Sequence, residues 1–210
     1  MKLYCFGESG HSYKAALALE LAGCDWEPIF VDFFNGETRS EAYRQNINNM
    51  GEAPVLVDGD STLSQSGVIQ AYIAEKTGRH GGQTETQKRE ILRWILWDNS
   101  KFSIVIGMTR FLMNFVTETQ RPEALIKFHQ SRLKAAHQIL NDALEDHKFL
   151  VGDTITHADM ACCGSLFYPE PFGFDRANWL NSDRWLSNIS STPGWKAPYD
   201  FMPGNPADRA

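Results

Sequence analysis

Two short stretches of the 210-residue sequence place polar side chains where small-molecule chemistry is commonly done. The first is Glu8-Ser9-Gly10-His11-Ser12-Tyr13-Lys14, between a strand-like opening and a run of helix formers. Amides at the start of a helix point outward and favour negative charge, so a hydroxyl there can donate to an anion, a thiolate included. A nucleophilic serine would instead need a neighbouring base oriented by a third group. His11 is only two residues from Ser9, and no Gly-x-Ser-x-Gly elbow surrounds it. Ser9 or Ser12 could also simply cap the helix. The second stretch is Gly51-Glu52-Ala53-Pro54-Val55-Leu56, followed by Ser64-Gln65-Ser66-Gly67-Val68-Ile69. Pro54 lacks an amide hydrogen and belongs at a strand's start or edge. If its peptide bond is cis, the preceding backbone can face a ligand. Gln65-Ser66 opens a helix whose hydroxyl and free amides would suit a carboxylate, with a plain helix cap as the alternative.

The surrounding pattern shows what must position these residues. Lys2–Phe6 reads as a strand, Ser12–Ala22 as a helix stopped by Gly23, and Pro28–Phe33 as apolar and β-rich. Glu37–Asn46 reads as a polar helix, and Pro54–Val57 and Ser61–Leu63 as strands about the turn Asp58-Gly59-Asp60. Ser66–Thr77 reads as a helix ending at Gly78. This β-α-β-α-β-β-α order predicts a small α/β domain with a mixed sheet over residues 1–78. Residues 79–85 read as a linker, and 86–210 as an all-helical domain with an irregular, proline-rich tail from Pro193. Within it, Thr86 to Phe115 reads as one long helix with Ile91, Ile95, Phe102 and Val105 on a stripe. Pro122 opens another helix, whose apolar spacing predicts a face of Leu125, Phe128, Leu133, Ala136, Ile139, Leu140 and Leu144. Thr156 to Asp159 has the form of a capping box, with Asp159 in the place of the usual Glu, and His157 within it reads as structural.

Composition removes several function classes. Apolar residues make up 42% and charged residues 22%, as in folded globular proteins rather than disordered chains. No apolar run approaches a membrane span, and the N-terminus has no signal-peptide pattern. The net charge is −6, with six Lys/Arg against eleven Asp/Glu in residues 1–80 and fourteen against fifteen in 81–210. Neither part offers the basic surface that phosphate neutralisation needs, which argues against nucleic acid. Cys5, Cys24, Cys162 and Cys163 show no metal-ligand spacing, so no metal is expected, and their arrangement suits a reducing, cytoplasmic compartment.

Taken in order and spacing, these motifs resemble the cytosolic glutathione transferases, of bacterial type with a serine active site. The resemblance rests on Lys2-Leu3-Tyr4, Ser9 to Lys14, Asn48 to Pro54, Ser64 to Ile69, and Leu150-Val151-Gly152-Asp153 with Thr156 to Asp159. It covers almost the whole chain. It implies a thioredoxin-like N-terminal domain, an all-helical C-terminal domain, glutathione as co-substrate and a homodimer. By position, Gln65 and Ser66 would hold the γ-glutamyl end, and Ala53, before a cis Pro54, would pair its backbone with the cysteinyl part. Ser9 would donate to the glutathione sulfur, with Ser12 and Cys5 as reserves. Tyrosine classes place their residue near Cys5, before Phe6, and cysteine classes place theirs at Ser9 or His11, so neither pattern fits. The apolar second-substrate pocket would draw on His11, Trp97, Lys101, Met108, Phe111, Leu112 and Phe115, with Arg110 available to an anionic co-substrate.

One position departs from the family. Glu52 stands where Gln or Lys is common, and it would repel the glycyl carboxylate unless Arg39, or less favourably Arg44, compensates. Asp98, on the stripe of the long helix, would either reach the γ-glutamyl amine of the neighbouring subunit or sit at a solvent-facing edge. The implied activity is addition of the glutathione thiolate to a small, apolar or aromatic electrophile, as in detoxification, or reduction of a peroxide, with isomerisation also compatible. The alternatives are a non-catalytic interaction protein of the same fold and a glutathione-dependent thiol reductase using Cys5.

Overall fold

The computed structural model describes residues 1–205. Strands β1 (Lys2–Cys5), β2 (Glu27–Phe30), β3 (Val55–Asp58) and β4 (Ser61–Ser64) form one sheet in the order β2-β1-β3-β4. β1 runs parallel to β2 and antiparallel to β3, whose register sets Leu3 opposite Leu56 and Tyr4 opposite Val55. The mixed sheet follows from connection length. β3 and β4 are joined by a tight turn at Asp58–Ser61, whereas β1 and β2 are joined through helix α1 (Gly10–Leu21). α1 is buried along nearly all of its length because its alanines and leucines are apolar all round. It lies between the sheet with α3 (Ser66–Thr77) on one side and the helical part of the chain on the other.

α3 spans the residues its sequence pattern predicts, and Gly78, at φ +68°, ends it in the left-handed conformation. The polar segment Glu37–Asn46 divides at Ser40 into a 3-10 turn (Glu37–Arg39) and α2 (Glu41–Asn46), with the Ser40 hydroxyl capping α2.

The single long helix expected from Thr86 to Phe115 is interrupted. α4 (Glu85–Trp97) and α5 (Ser103–Asn114) are joined by a π-helical turn at Asp98–Phe102. Ile91, Ile95, Phe102 and Val105, which share one face at helical spacing, are all buried. α6 (Glu123–Ala143) buries Leu133, Ala136 and Leu140 of the expected face, with Leu144 just after it, but not the rest of that face. Ile126, His129, Leu133, Ala136, His137 and Leu140 are buried, while Leu125, Phe128 and Ile139 are exposed. α7 (His157–Cys163) is wholly buried. Its cap is the expected one, because the Asp159 carboxylate accepts from the Thr156 amide at 2.8 Å, from Leu150 N at 2.8 Å and from Trp185 Nε1 at 2.9 Å. α8 (Leu180–Ser190) and the short α9 (Pro198–Phe201) follow. The tail from Pro193 is irregular apart from α9 and packs on the first turn of the chain: Phe201 lies against Tyr13, and Pro203 O accepts from Gly7 N at 2.7 Å. Residues 206–210 of that tail lie outside the described part.

Candidate active site

The β1–α1 turn presents Ser9 at the N-cap of α1, where its Oγ accepts from Ser12 N at 3.1 Å. A hydroxyl that accepts in this way keeps its own proton to donate. Capping and donation to an anion are therefore compatible in one side chain. Gly10 follows because a Cβ there would collide with Ser165 Oγ, so α1 begins in contact with the helical part of the chain.

The reserves fare differently. Ser12 is fully buried, as is Cys5, whose thiol is pushed up to about 12 by burial in the sheet. A thiol that remains protonated at neutral pH is a core residue rather than a nucleophile. His11 does not serve Ser9 as a base. Its Nδ1 lies 3.3 Å from Ser66 Oγ, and burial, followed by the nearby Lys14 charge, lowers its pKa to about 3. The imidazole is therefore neutral at physiological pH and brings together the first turns of α1 and α3.

Beside Ser9 lies a cavity of about 470 Å³ lined by Phe6, Phe33, Phe34, Met108, Phe111 and Phe115, with Glu8 and His11 at its polar side. Phe6 and Phe33 stack with centroids 4.7 Å apart, and Phe34 and Phe115 at 5.3 Å. Of the second-substrate residues, His11, Met108, Phe111, Leu112 and Phe115 line this cavity. Trp97 does not, because it stacks on Phe102 at 5.2 Å within the helical part. Lys101 is exposed on the π-helical turn and is not part of the lining. Arg110 is buried and turned away, paired with Glu170 at 2.9 Å.

The Ala53–Pro54 peptide, at the start of β3, is cis. Gln65 holds a positive φ of 71°, a conformation disfavoured for a residue with a Cβ and frequent at ligand sites. Its side chain does not cap α3. It donates instead to the Glu52 carboxylate at 2.7 Å, leaving the first amides of α3 without a side-chain cap beside the buried Ser66.

Residues 1–75 match the family model described as "Glutathione S-transferase, N-terminal domain", and residues 103–193 match "Glutathione S-transferase, C-terminal domain". The chain belongs to the glutathione S-transferase family. It is 30% identical over 165 residues to the disulfide-bond oxidoreductase YfcG of Escherichia coli, covering 75% of each chain. It is 29% identical over 218 residues to glutathione S-transferase F9 of Arabidopsis thaliana, covering 96% of this chain and 99% of that one. A crystal structure of a glutathione S-transferase from Pseudomonas fluorescens superimposes with a TM-score of 0.86 at 25% identity, over 94% of this chain and 98% of that one. Membership makes glutathione the co-substrate. Among the described residues no group of three or more His, Cys, Asp or Glu is placed to hold a metal ion, and no helix is long and apolar enough to cross a membrane.

Against the glutathione S-transferase pattern, two acidic residues stand differently from their expected roles. Asp98 is fully buried and ion-paired with Lys14, and it accepts from Ser103 Oγ at 2.6 Å, so it reaches neither a neighbouring subunit nor solvent. Burial raises its pKa, while Lys14 and Ser103 pull it back down. Glu52 has its backbone carbonyl held by Tyr43 Oη at 3.0 Å and Asn48 Nδ2 at 2.9 Å, and its carboxylate takes a bond from Gln65. Arg39, the preferred compensating cation, folds back over Gly36 instead, whereas Arg44 lies against Gly51 next to Glu52. His157 is buried on α7 against His80. The sequence reading missed Glu8, Tyr168, Glu170 and Tyr199, which the fold gathers behind the Ser9 turn. No local spacing signals them, since Arg110 pairs with Glu170 sixty residues away and Tyr168 Oη meets Gly7 O across 161.

Proposed function

We propose that this chain is a glutathione transferase in which Ser9 donates to the glutathione sulfur and holds it as thiolate, facing a small, flat, apolar electrophile in the aromatic cavity. The observation that carries the reading is the placement of Ser9: a capping hydroxyl with a proton to spare, at a helix N-terminus, opening onto a cavity walled by phenylalanines. The helix end and the hydroxyl act in the same direction, both favouring the charged form of the sulfur. Gln65, Ser66 and the uncapped amides of α3 would take the γ-glutamyl carboxylate, with the Ala53 backbone on the cysteinyl part. Glu52, fixed beside Gln65, would then face the γ-glutamyl ammonium rather than the glycyl carboxylate, supplying the negative charge that the buried Asp98 cannot. The glycyl end falls to Arg44. The neutral aromatic walls favour conjugation of an apolar or aromatic compound, with peroxide reduction drawing on the same thiolate.

The test is an ultraviolet difference titration of the protein with glutathione across pH. Thiolate absorbance appearing about two units below the free-thiol pKa of about 8.5 is expected. Glutathione that binds but ionises at its free pKa would remove Ser9 from the mechanism.

Similarity to a disulfide-bond oxidoreductase favours a second reading, thiol–disulfide exchange. With Cys5, Cys162 and Cys163 buried, that chemistry would run on the bound glutathione sulfur rather than on Cys5.

The chain is proposed to work as a homodimer. A groove of about 850 Å³ runs between α3 and α4, and Val68, Leu92 and Leu96 stand 51%, 54% and 59% exposed there. Apolar exposure of this kind marks an interface. Sedimentation should give twice the chain mass of 23.7 kDa. Leu96→Glu, which buries a carboxylate in that contact, should weaken association about a hundredfold or more. A wild-type protein that sediments as a monomer would sink the assignment.

A further inference from the structure

The turn that carries Ser9 is held mostly from the far side of the chain. Gly7 N donates to Pro203 O at 2.7 Å, Gly7 O accepts from Tyr168 Oη at 2.7 Å, and Glu8 O accepts from Arg110 Nη1 at 3.3 Å. The turn's own contribution is the bond from Ser9 N to Phe6 O at 3.2 Å. The two side chains that grip the carbonyls are themselves fixed. The Arg110 guanidinium lies 3.8 Å from the centroid of the Tyr168 ring and pairs with Glu170, which also accepts from Tyr199 Oη. Tyr168 and Tyr199 meet edge to face at 5.6 Å, and Tyr168, Arg110 and Glu170 are all buried.

A buried arginine–carboxylate pair is weak grounds for stability, because apolar side chains of similar volume often serve as well. What apolar side chains could not do is donate to the carbonyls on either side of the Gly7–Glu8 link. That matters because a hydroxyl acting on a sulfur must be placed to within about 0.5 Å. The helix hydrogen bonds of α1 reach back to Ser9, whose carbonyl accepts from Tyr13 N at 3.0 Å and whose Oγ accepts from Ser12 N at 3.1 Å, and no further. The residues before Ser9 take their place from the carbonyl contacts.

We propose that Tyr168 and Arg110 are positioning residues for Ser9: through Gly7 O and Glu8 O, the helical part of the chain sets where the Ser9 hydroxyl meets the glutathione sulfur. The inference rests on the reading of Ser9 as the thiolate's donor, and the experiment separates the two. Tyr168→Phe removes one hydroxyl and keeps the ring stack. Arg110→Lys keeps a charge for Glu170 and shortens the reach to Glu8 O. Each is titrated with glutathione as the wild type is, alongside Ser9→Ala and Ser9→Ala/Tyr168→Phe.

In Tyr168→Phe the glutathione Kd should stay within about twofold, while the bound thiol pKa rises by about 0.5–1 unit. At pH 6.5 the bound thiolate fraction should fall about two- to fivefold, and kcat by less because the more basic thiolate is the better nucleophile, with little change in KM for glutathione and recovery at alkaline pH. Arg110→Lys should shift in the same direction and carries the test if Tyr168→Phe does not fold. In the Ser9→Ala background, Tyr168→Phe should add no further shift, since it acts through Ser9. A lower Tm with the wild-type thiol pKa and pH profile in both variants would mark a merely structural role and overturn the proposal, as would an additive shift in the double variant. If Ser9→Ala itself leaves the bound thiol pKa unchanged, the Ser9 reading fails and the positioning inference falls with it. If Ser9→Ala shifts the pKa while Tyr168→Phe and Arg110→Lys do not, the positioning inference alone fails.

Discussion

Ser9→Ala should raise the thiol pKa of bound glutathione by about two units, from about 6.5 to about 8.5. A hydrogen bond to a charged acceptor contributes about 1.5–3 kcal/mol, and two pKa units correspond to about 2.7 kcal/mol. One hydroxyl is therefore enough to account for the whole shift. At pH 6.5 the thiolate fraction would fall from about one half to about one per cent, roughly fiftyfold. The rate should fall less than that. A more basic thiolate is the better nucleophile, with a Brønsted slope of about 0.4–0.5, which returns several-fold. The net expectation is a drop of about five- to eightfold in kcat/KM at pH 6.5 that vanishes between about pH 7.5 and 8 and reverses at more alkaline pH, where both thiols are ionised and the variant's is the more basic. The acid limb of the pH–rate profile measures this directly. A pH-independent loss would mean that Ser9 aligns the substrate rather than ionising the thiol. The substitution also removes the cap of α1, at a cost of about 1 kcal/mol, so Tm should fall by about 2–4 °C.

How much of this was legible in the sequence depends on how local each cause is. α3 could be placed to the residue because its stop is a glycine in the left-handed conformation, and the Thr156–Asp159 cap because a capping box is complete within four residues. Ser9, Pro54, Gln65 and Ser66 share that property: each sits at an element's end, where turn and cap chemistry is written in adjacent residues. The π-helical turn at Asp98–Phe102 was not legible. An inserted residue inside a helix leaves the residue types on both sides unchanged, and only the rotation of α5 relative to α4 records it.

The fates of Asp98 and Arg110 were hidden for a related reason. A charge on an apolar stripe signals that a partner is needed but not where it comes from, and here Lys14 is 84 residues away and Glu170 sixty. The face of α6 is legible at Leu133, Ala136, Leu140 and Leu144 but not at its edge, because Leu125, Phe128 and Ile139 are as apolar as the residues that bury, while the core takes His129 and His137. His137 sits among the rings of Phe102, Phe174 and Trp179, where burial lowers its pKa to about 4 and a neutral imidazole packs as an aromatic side chain.

The other large effect should come from Lys14, which lies five residues after Ser9 on α1 and reaches Asp98 on the π-helical turn. Both side chains are buried, and the stem of Lys14 fills the space that Gly164 leaves by having no Cβ. Lys14→Met keeps that volume and removes the charge, so Asp98 is left with Ser103 alone. Breaking a buried pair from one side costs about 3–5 kcal/mol, which for a chain of this size lowers Tm by about 6–20 °C. The pH dependence identifies the cause. Burial already raises the Asp98 pKa and Lys14 opposes that rise, so in the variant the carboxyl's folded pKa lies further above its unfolded value. The folded state then binds the proton more tightly, and the variant's stability is retained below the unfolded pKa of about 3.9 and lost as pH rises toward the folded pKa. Lys14→Met/Asp98→Asn leaves no buried charge and keeps an acceptor for Ser103, so it should recover most of the loss and abolish the added pH dependence. Thermal unfolding of the three proteins between pH 4 and pH 8 decides it. A double variant as unstable as the single one would show that the pair joins α1 to the helical part by more than charge neutralisation. Recovered stability with an unaltered glutathione titration would show that the ion pair anchors α1 to the helical part, while the placement of Ser9 does not depend on it.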